Sequence, residues 1–185
     1  MNSTLEDLKT RRSIRKFSDK KVSREDLEKI LEAGTYAPTS LGSQSPRILV
    51  TQRKDIIDRI EEWNKSFFPP AVLEARGNNV KPFYGASTLV IVLGDKNNPN
   101  YVQDASLVLG NILNAAHALG LGSCWIHRAK EEFESLQGKE LLKVWNIPDN
   151  YVGVGHAIIG YPADDCDVEV APRKDDYITY LDDLL

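Results

Sequence analysis

The chain has 185 residues, 42% hydrophobic and 27% charged, enough for one domain with a real core and too few for an obvious second. A formal net charge of −4 argues against nucleic acid as a general partner, and the longest apolar runs, such as residues 89–93, are far too short to span a bilayer. Residues 1–10 carry Glu6 and Asp7 in place of a signal peptide's apolar stretch, and Cys124 and Cys166 form no CxxC pattern, so a cytoplasmic protein with free thiols is expected.

Ser3 and Glu6 have capping-box spacing, which predicts a short first helix running into Arg11 and Arg12. Ser23 with Asp26 opens a second helix with Leu27, Ile30 and Leu31 as its apolar stripe, ending by Gly34. Residues 34–46 are turn chemistry throughout. Residues 47–52 read as a buried strand, and Ile56, Ile57, Ile60 and Trp63 have the spacing of a third helix. Residues 65–85 contain Pro69, Pro70 and Pro82 and are expected to form a mobile lid.

The β-branched run 88–93 predicts a strand buried on both faces. Residues 102–119 give the strongest helical pattern, apolar on more than one side, as for a helix buried centrally or in a subunit interface. A strand at 123–127, a polar helix over 130–145 and a last strand at 152–161 follow. These elements predict an α+β domain, three layers α-β-α, with one mixed central sheet and helices on both faces. The final stretch, 162–185, has scattered anchors (Tyr177, Ile178, Tyr180, Leu181) and reads as a C-terminal arm of the single domain 1–185.

Charge is unevenly spread. Between Lys9 and Arg24 eight basic residues face Asp19 alone among acids, whereas Arg173 and Lys174 stand as a basic pair among the eight acids that follow Tyr161. A solvated helix end could carry the first group, but Arg11, Arg12 and Arg15 around Ser13 also suit an anion, because guanidinium forks match phosphate oxygens bidentately. Arg173 and Lys174 would add a second basic contact, so that both ends of the chain close on one phosphate. The loop from Ala37 through Pro38, Thr39 and Ser40 to Gln44 offers hydrogen-bonding groups with little bulk, as the edge of a flat polar ring needs.

Other chemistries lack their motifs. There is no GxxxxGK[ST], no GxGxxG after a strand, no GxSxG, and no HExxH around His117, His127 or His156. No metal site is expected, and with no evident nucleophile or base the chemistry should come from a cofactor.

An opening R-R-S-I-R, the A-P-T-x-x-x-x-Q loop, a helix beginning D-A-x-x-x-x-x-N-I (Asp104, Ala105, Asn111, Ile112) that runs through A-A-H-A-L-G-L-G into S-C-W-I, and a closing I-G-Y-P with a later P-R-K occur in that order. In this the sequence resembles the nitroreductase superfamily of FMN enzymes. The resemblance implies a homodimer with two FMN sites, each built from both subunits, and an exchanged C-terminal arm. It implies that Arg11, Ser13 and Arg15 hold the phosphate and isoalloxazine edge, with Arg12 supporting the phosphate and ribityl chain. Pro38, Thr39, Ser40 and Gln44 would come from the other subunit; Ser123, Cys124, Trp125 and Ile126 would pass behind the flavin; and Arg173 and Lys174 would complete the phosphate cage. Trp125 could equally be core, and Cys124 is expected to be structural. Many relatives carry N-[ST]-Q-P-[WF] after this loop, whereas the stretch Gly42, Ser43, Gln44, Ser45, Pro46 lacks that asparagine and the aromatic, so contacts made by the asparagine's side chain cannot be made by Gly42.

The implied activity is an FMN-dependent NAD(P)H oxidoreductase. NADH or NADPH would be co-substrate, hydride would pass through flavin N5 in a ping-pong cycle to a nitroaromatic, quinone or similar small acceptor, and Arg15 would stabilise the reduced flavin electrostatically. The alternatives are a non-catalytic FMN-binding sensor, a specialised dehalogenase-like relative, or an anion-binding interaction module without flavin.

Overall fold

The structure is a computed structural model that describes residues 2–77 and 79–184, apart from the side chains of Asp183 and Leu184. Both terminal residues of the domain 1–185, Asn78 of the expected lid and the Asp183 carboxylate of the acidic tail therefore lie outside the described parts.

Helix α1 covers Ser3–Thr10, and its cap is Asn2, whose side chain accepts from the Thr4 N–H at 3.0 Å. The cap falls one residue before Ser3 because Asn2 has the extended backbone that a cap requires. Helix α2 (Arg24–Thr35) starts as expected, with the Ser23 hydroxyl accepting from Asp26 N–H at 3.0 Å, and it buries Leu27 and Ile30. There follow β1 (Arg47–Thr51), α3 (Lys54–Ser66), α4 (Pro70–Arg76), β2 (Thr88–Asp95), α5 (Tyr101–Ala118), β3 (Gly122–Ile126), α6 (Ala129–Glu134), α7 (Leu136–Val144) and β4 (Tyr151–Gly160).

The α+β layering is as expected, but the sheet is antiparallel, not mixed. Its order is β1-β2-β4-β3, and every neighbouring pair is antiparallel. Strands β2 and β3 do run the same way, as a helical crossover through α5 favours. The last strand, β4, enters between them and converts one parallel pair into two antiparallel ones. Parallel pairing survives only as an isolated bridge between Ser13 and Ser123 among the described residues.

Side chains of β2 alternate between two cores, which accounts for its unbroken apolar run. Val90 and Val92 join Leu109, Ile112 and Ile30 under α2 and α5, whereas Leu89, Ile91 and Leu93 join Ile57, Ile60 and Phe133 under α3 and α6. Strand β1 was expected to be buried. It is an edge strand with Arg47 and Val50 exposed, because only β2 pairs with it.

The polar stretch after β3 forms two helices. Ser135 takes an extended conformation, donates to Glu132 O at 2.7 Å and accepts from Gly138 N–H at 3.1 Å, so it ends α6 and caps α7. Position 138 must be glycine, since a Cβ there would lie 2.2 Å from the Glu132 carbonyl oxygen. Residues 65–85 likewise hold a helix, α4, with Pro70 at its first position, where a missing N–H costs nothing.

After β4 the chain stays attached through Phe17 and Pro162, through Ala163 N–H to Lys16 O, and through an ion pair of Lys16 with Asp165. Beyond that point Val170, Tyr177, Ile178, Tyr180 and Leu181 are all exposed. This chain alone does not cover the arm's apolar anchors.

Candidate functional site

The segment between α1 and α2 runs along the free edge of β3. Ile14 N–H donates to Ser123 O at 3.0 Å and Ser18 N–H to Tyr161 O at 2.9 Å. Extended backbone sends successive side chains to opposite sides, and the arginines separate accordingly.

Arg15 reaches a cleft of about 290 Å³ whose walls include Trp125, Ile126 and Cys124 of β3 and Phe68, Tyr84 and Arg76 from the stretch around α4. The lining residues include three arginines (Arg15, Arg76, Arg128) and no carboxylate. Arg12 lies in a second cleft with Lys9, Pro172, Arg173 and Lys174, so the structure brings the two ends of the chain together. Ser13 and Arg15 line a third, shared with residues 165–169 of the tail. Arg11, the cap of α1, lines none of these.

Arg12 donates from Nη1 to the carbonyls of Lys9 (2.8 Å) and Arg11 (2.7 Å), while its buried Nε has no acceptor among the described residues. Arg24, Arg53 and Arg128 each meet a carboxylate within 4 Å. Arg11, Arg12 and Arg15 form no such pair among the described residues. One acid, Asp175, lines the Arg12 cleft, and Asp165, Asp167 and Glu169 line the one shared by Ser13 and Arg15. Among these three only the cleft beside Trp125 has no carboxylate in its lining; cations without acids are unfavourable unless an anion joins them.

On β3 the four expected residues divide. The Ser123 hydroxyl donates to Leu113 O of α5 at 3.3 Å and is buried, so it serves the fold. Cys124 is a buried free thiol. Trp125 and Ile126 line the Arg15 cleft, and Trp125 also packs against the core. Room for the indole comes from Gly155 on the neighbouring strand, where a Cβ would lie 2.7 Å from the ring. Trp125 is both core and cleft wall.

The loop of Pro38, Thr39, Ser40 and Gln44 is built at the other end of α5. Ser40 N–H donates to Asp104 Oδ1 at 3.0 Å, Asn98 bridges Asp104 and Ser45, and Thr39 Oγ1 accepts from Gln44 N–H. Leu41 and Gln44 sit at positive φ (53° and 49°), a cost tolerated where the surroundings fix the loop. The arginine segment is tied to the far end of the helix, where Thr10 Oγ1 meets His117 Nε2 at 2.8 Å. At 1.5 Å per residue the two anchor points, Asp104 and His117, are about 20 Å apart. The loop therefore does not share a cleft with the arginines of its own chain.

The sequence reading missed the residues beneath the cleft. Asn64 is fully buried; its Nδ2 donates to His127 O at 2.8 Å and to Glu132 Oε1 at 2.6 Å, and Glu132 Oε2 lies 2.7 Å from His156 Nε2. Glu132 and His156 are also 0% exposed. A signal did exist for Asn64. It stands on the buried stripe of α3 with Ile57 and Ile60, where a polar residue needs partners.

The family model described as Nitroreductase family matches residues 8–161. A curated Archaeoglobus fulgidus relative, provisionally named NADH dehydrogenase/NAD(P)H nitroreductase, is 33% identical over 90% of this chain and 90% of its own. The Bacillus subtilis protein named FMN reductase [NAD(P)H] is 27% identical over 89% of this chain and 68% of its own. Among solved structures, a Bacteroides fragilis nitroreductase with bound FMN superposes with a TM-score of 0.88 at 28% identity, covering 97% of this chain and 99% of that one.

Proposed function

The chain belongs to the nitroreductase family, and from that premise we propose that it passes reducing equivalents from NADH or NADPH to a nitroaromatic, quinone or similar small acceptor, as a homodimer. Like the relatives it matches, the chain is an FMN-dependent NAD(P)H oxidoreductase. The residues present fit the cofactor. Arg12 has no carboxylate partner among the described residues and an orphaned buried Nε, and its cleft holds Lys9, Arg173 and Lys174 against Asp175 alone, an excess of positive charge that suits a phosphate-bearing ligand.

When bound, FMN supplies the hydride acceptance and donation that no side chain here offers. The chain's own residues bind and shield. Arg12, Arg173 and Lys174 hold the phosphate, Ser13 lies in the cleft that Arg15 shares with the tail, and Arg11 caps the helix that leads into them. Arg15 sets a positive charge at the cleft where negative charge develops on reduction. Trp125 and Ile126 exclude water from the back of the cleft, with the backbone of Ser123 and Cys124 behind them. Pro38, Thr39, Ser40 and Gln44 serve the partner's site, since they lie at the opposite end of α5 from their own arginines. The exposed anchors of the arm, Tyr177, Ile178 and Tyr180, then cover the partner.

The observation that carries this reading is the cleft walled by Trp125 and Ile126 and entered by Arg15, with no acid among its lining residues. A single such cleft must serve donor and acceptor in turn. Steady-state rates with NADH or NADPH and a quinone, varied together, are expected to give parallel double-reciprocal lines. Converging lines would show that donor and acceptor bind at once and would overturn the alternating use of one cleft.

A further inference from the structure

A separate cavity lies on the far side of the loop that walls the Arg15 cleft. Residues 81–87 divide between the two spaces. Pro82 and Tyr84 line the cleft, whereas Lys81, Phe83, Gly85, Ala86 and Ser87 line a cavity of about 320 Å³, and no lining residue is common to both. The cavity floor is apolar, formed by Ile57, Phe83 and Ala86, all buried. Into it α3 sets Glu61, one turn beyond Ile57 and only 6% exposed. One carboxylate oxygen, Oε1, accepts from the Phe83 N–H at 2.6 Å. The other, Oε2, accepts nothing from the described residues, yet it is not among the orphaned atoms sealed from water, so it opens on the cavity.

A carboxylate this deep needs a counter-charge. Burial outweighs the Phe83 N–H and pushes the Glu61 carboxyl above the usual carboxylate range. The protein's own cations do not answer it. Lys54, on the same helix, is spent on Asp58, whose oxygens lie 2.6 and 2.8 Å from its Nζ. Lys21 and Lys81 line the cavity but are exposed, and no described lysine or arginine comes within 4 Å of the Glu61 oxygens. A hard metal ion would need several oxygen ligands, and the floor around Glu61 is carbon.

We propose that this cavity is a second ligand site, which takes a small primary ammonium on a short apolar body. The cation meets Glu61 Oε2, and the alkyl chain lies on Ile57, Phe83 and Ala86. An ammonium brings three donors and a full charge, where a hydroxyl brings one donor and none.

The test uses FMN-loaded, 15N-labelled protein, titrated with n-pentylammonium and with pentan-1-ol. The Phe83 amide resonance is followed, because that N–H donates to the carboxylate in question. Wild type is expected to bind the ammonium about tenfold or more tightly than the alcohol, from the lower end of the range for a hydrogen bond to a charged group upward. Glu61→Gln keeps an acceptor for the Phe83 N–H without the charge, and there the ammonium is expected to bind no better than the alcohol. Equal affinity of the two probes for wild type, a Phe83 resonance that moves with neither, or a preference for ammonium that survives in Glu61→Gln would overturn the proposal. So would a flavin band that shifts in step with the Phe83 resonance, since the probe would then sit in the Arg15 cleft. The wild-type comparison decides the matter even if Glu61→Gln fails to fold.

Discussion

Glu132→Ala is expected to cost the fold about 2–4 kcal/mol, because it removes a buried hydrogen-bond partner from both His156 and Asn64. In a chain of this size that corresponds to a fall in Tm of about 10 °C. The carboxylate is fully buried and is the sole described partner of His156 Nε2, and it also accepts from Asn64. Alanine would leave His156 Nε2 unsatisfied and Asn64 with the His127 carbonyl alone, beside the core that contains Phe83, Phe133 and Ile158. His156→Leu should also be severe, because it strands the carboxylate. The double variant Glu132→Leu, His156→Leu should lose much less than the two single losses combined, since neither member of the pair is left buried without the other. Denaturant midpoints of the three variants measure this. A loss below about 1 kcal/mol for Glu132→Ala, the size of an exposed pair, would mean that water reaches the site.

Arg12→Ala should weaken FMN binding by about 1.5–3 kcal/mol, the range for hydrogen bonds to charged groups, or roughly ten- to a hundredfold in Kd. Its Nε is a buried donor without an acceptor, and its cleft also holds Arg173 and Lys174. Arg15→Ala should have a similar effect through the neighbouring cleft. Lys21→Ala is the control, for it is exposed and lines a different cleft, beside Lys54 and Glu61. Lys20 is a poorer control than its sequence context suggests, since its ammonium sits 4.0 Å above the Tyr161 ring. Fluorescence titration of FMN into apoprotein reads all three. Equal losses at Arg12, Arg15 and Lys21 would indicate a diffuse positive field in place of a defined phosphate cage.

What the sequence reveals depends on how local the determining interaction is. Ser23 and Asp26 announce α2 because the cap lies within one turn, and the run at Thr88 announces β2 because both its faces are apolar. Strand order is not local. Nothing in residues 151–160 says that this strand enters between β2 and β3, so the sheet reads as mixed from its crossovers and is antiparallel in fact. The site divides in the same way. The basic pair Arg173 and Lys174 is visible against the acids around it, and the structure brings it to Arg12. Ser123 matches the motif, but its hydroxyl is spent on Leu113 O, which only the packing of α5 on β3 reveals. Glu132 and His156, 24 positions apart, form a pair that neither residue's neighbours announce.

The central claim is that this chain holds FMN and reduces it with a nicotinamide nucleotide. The direct measurement is an anaerobic titration of FMN-loaded, dialysed protein with NADH and with NADPH, followed by visible absorbance. The account predicts one flavin per chain and loss of the oxidised flavin band on addition of about one equivalent of at least one nucleotide. A protein that keeps no flavin after dialysis, or a bound flavin band that neither nucleotide bleaches, would contradict it.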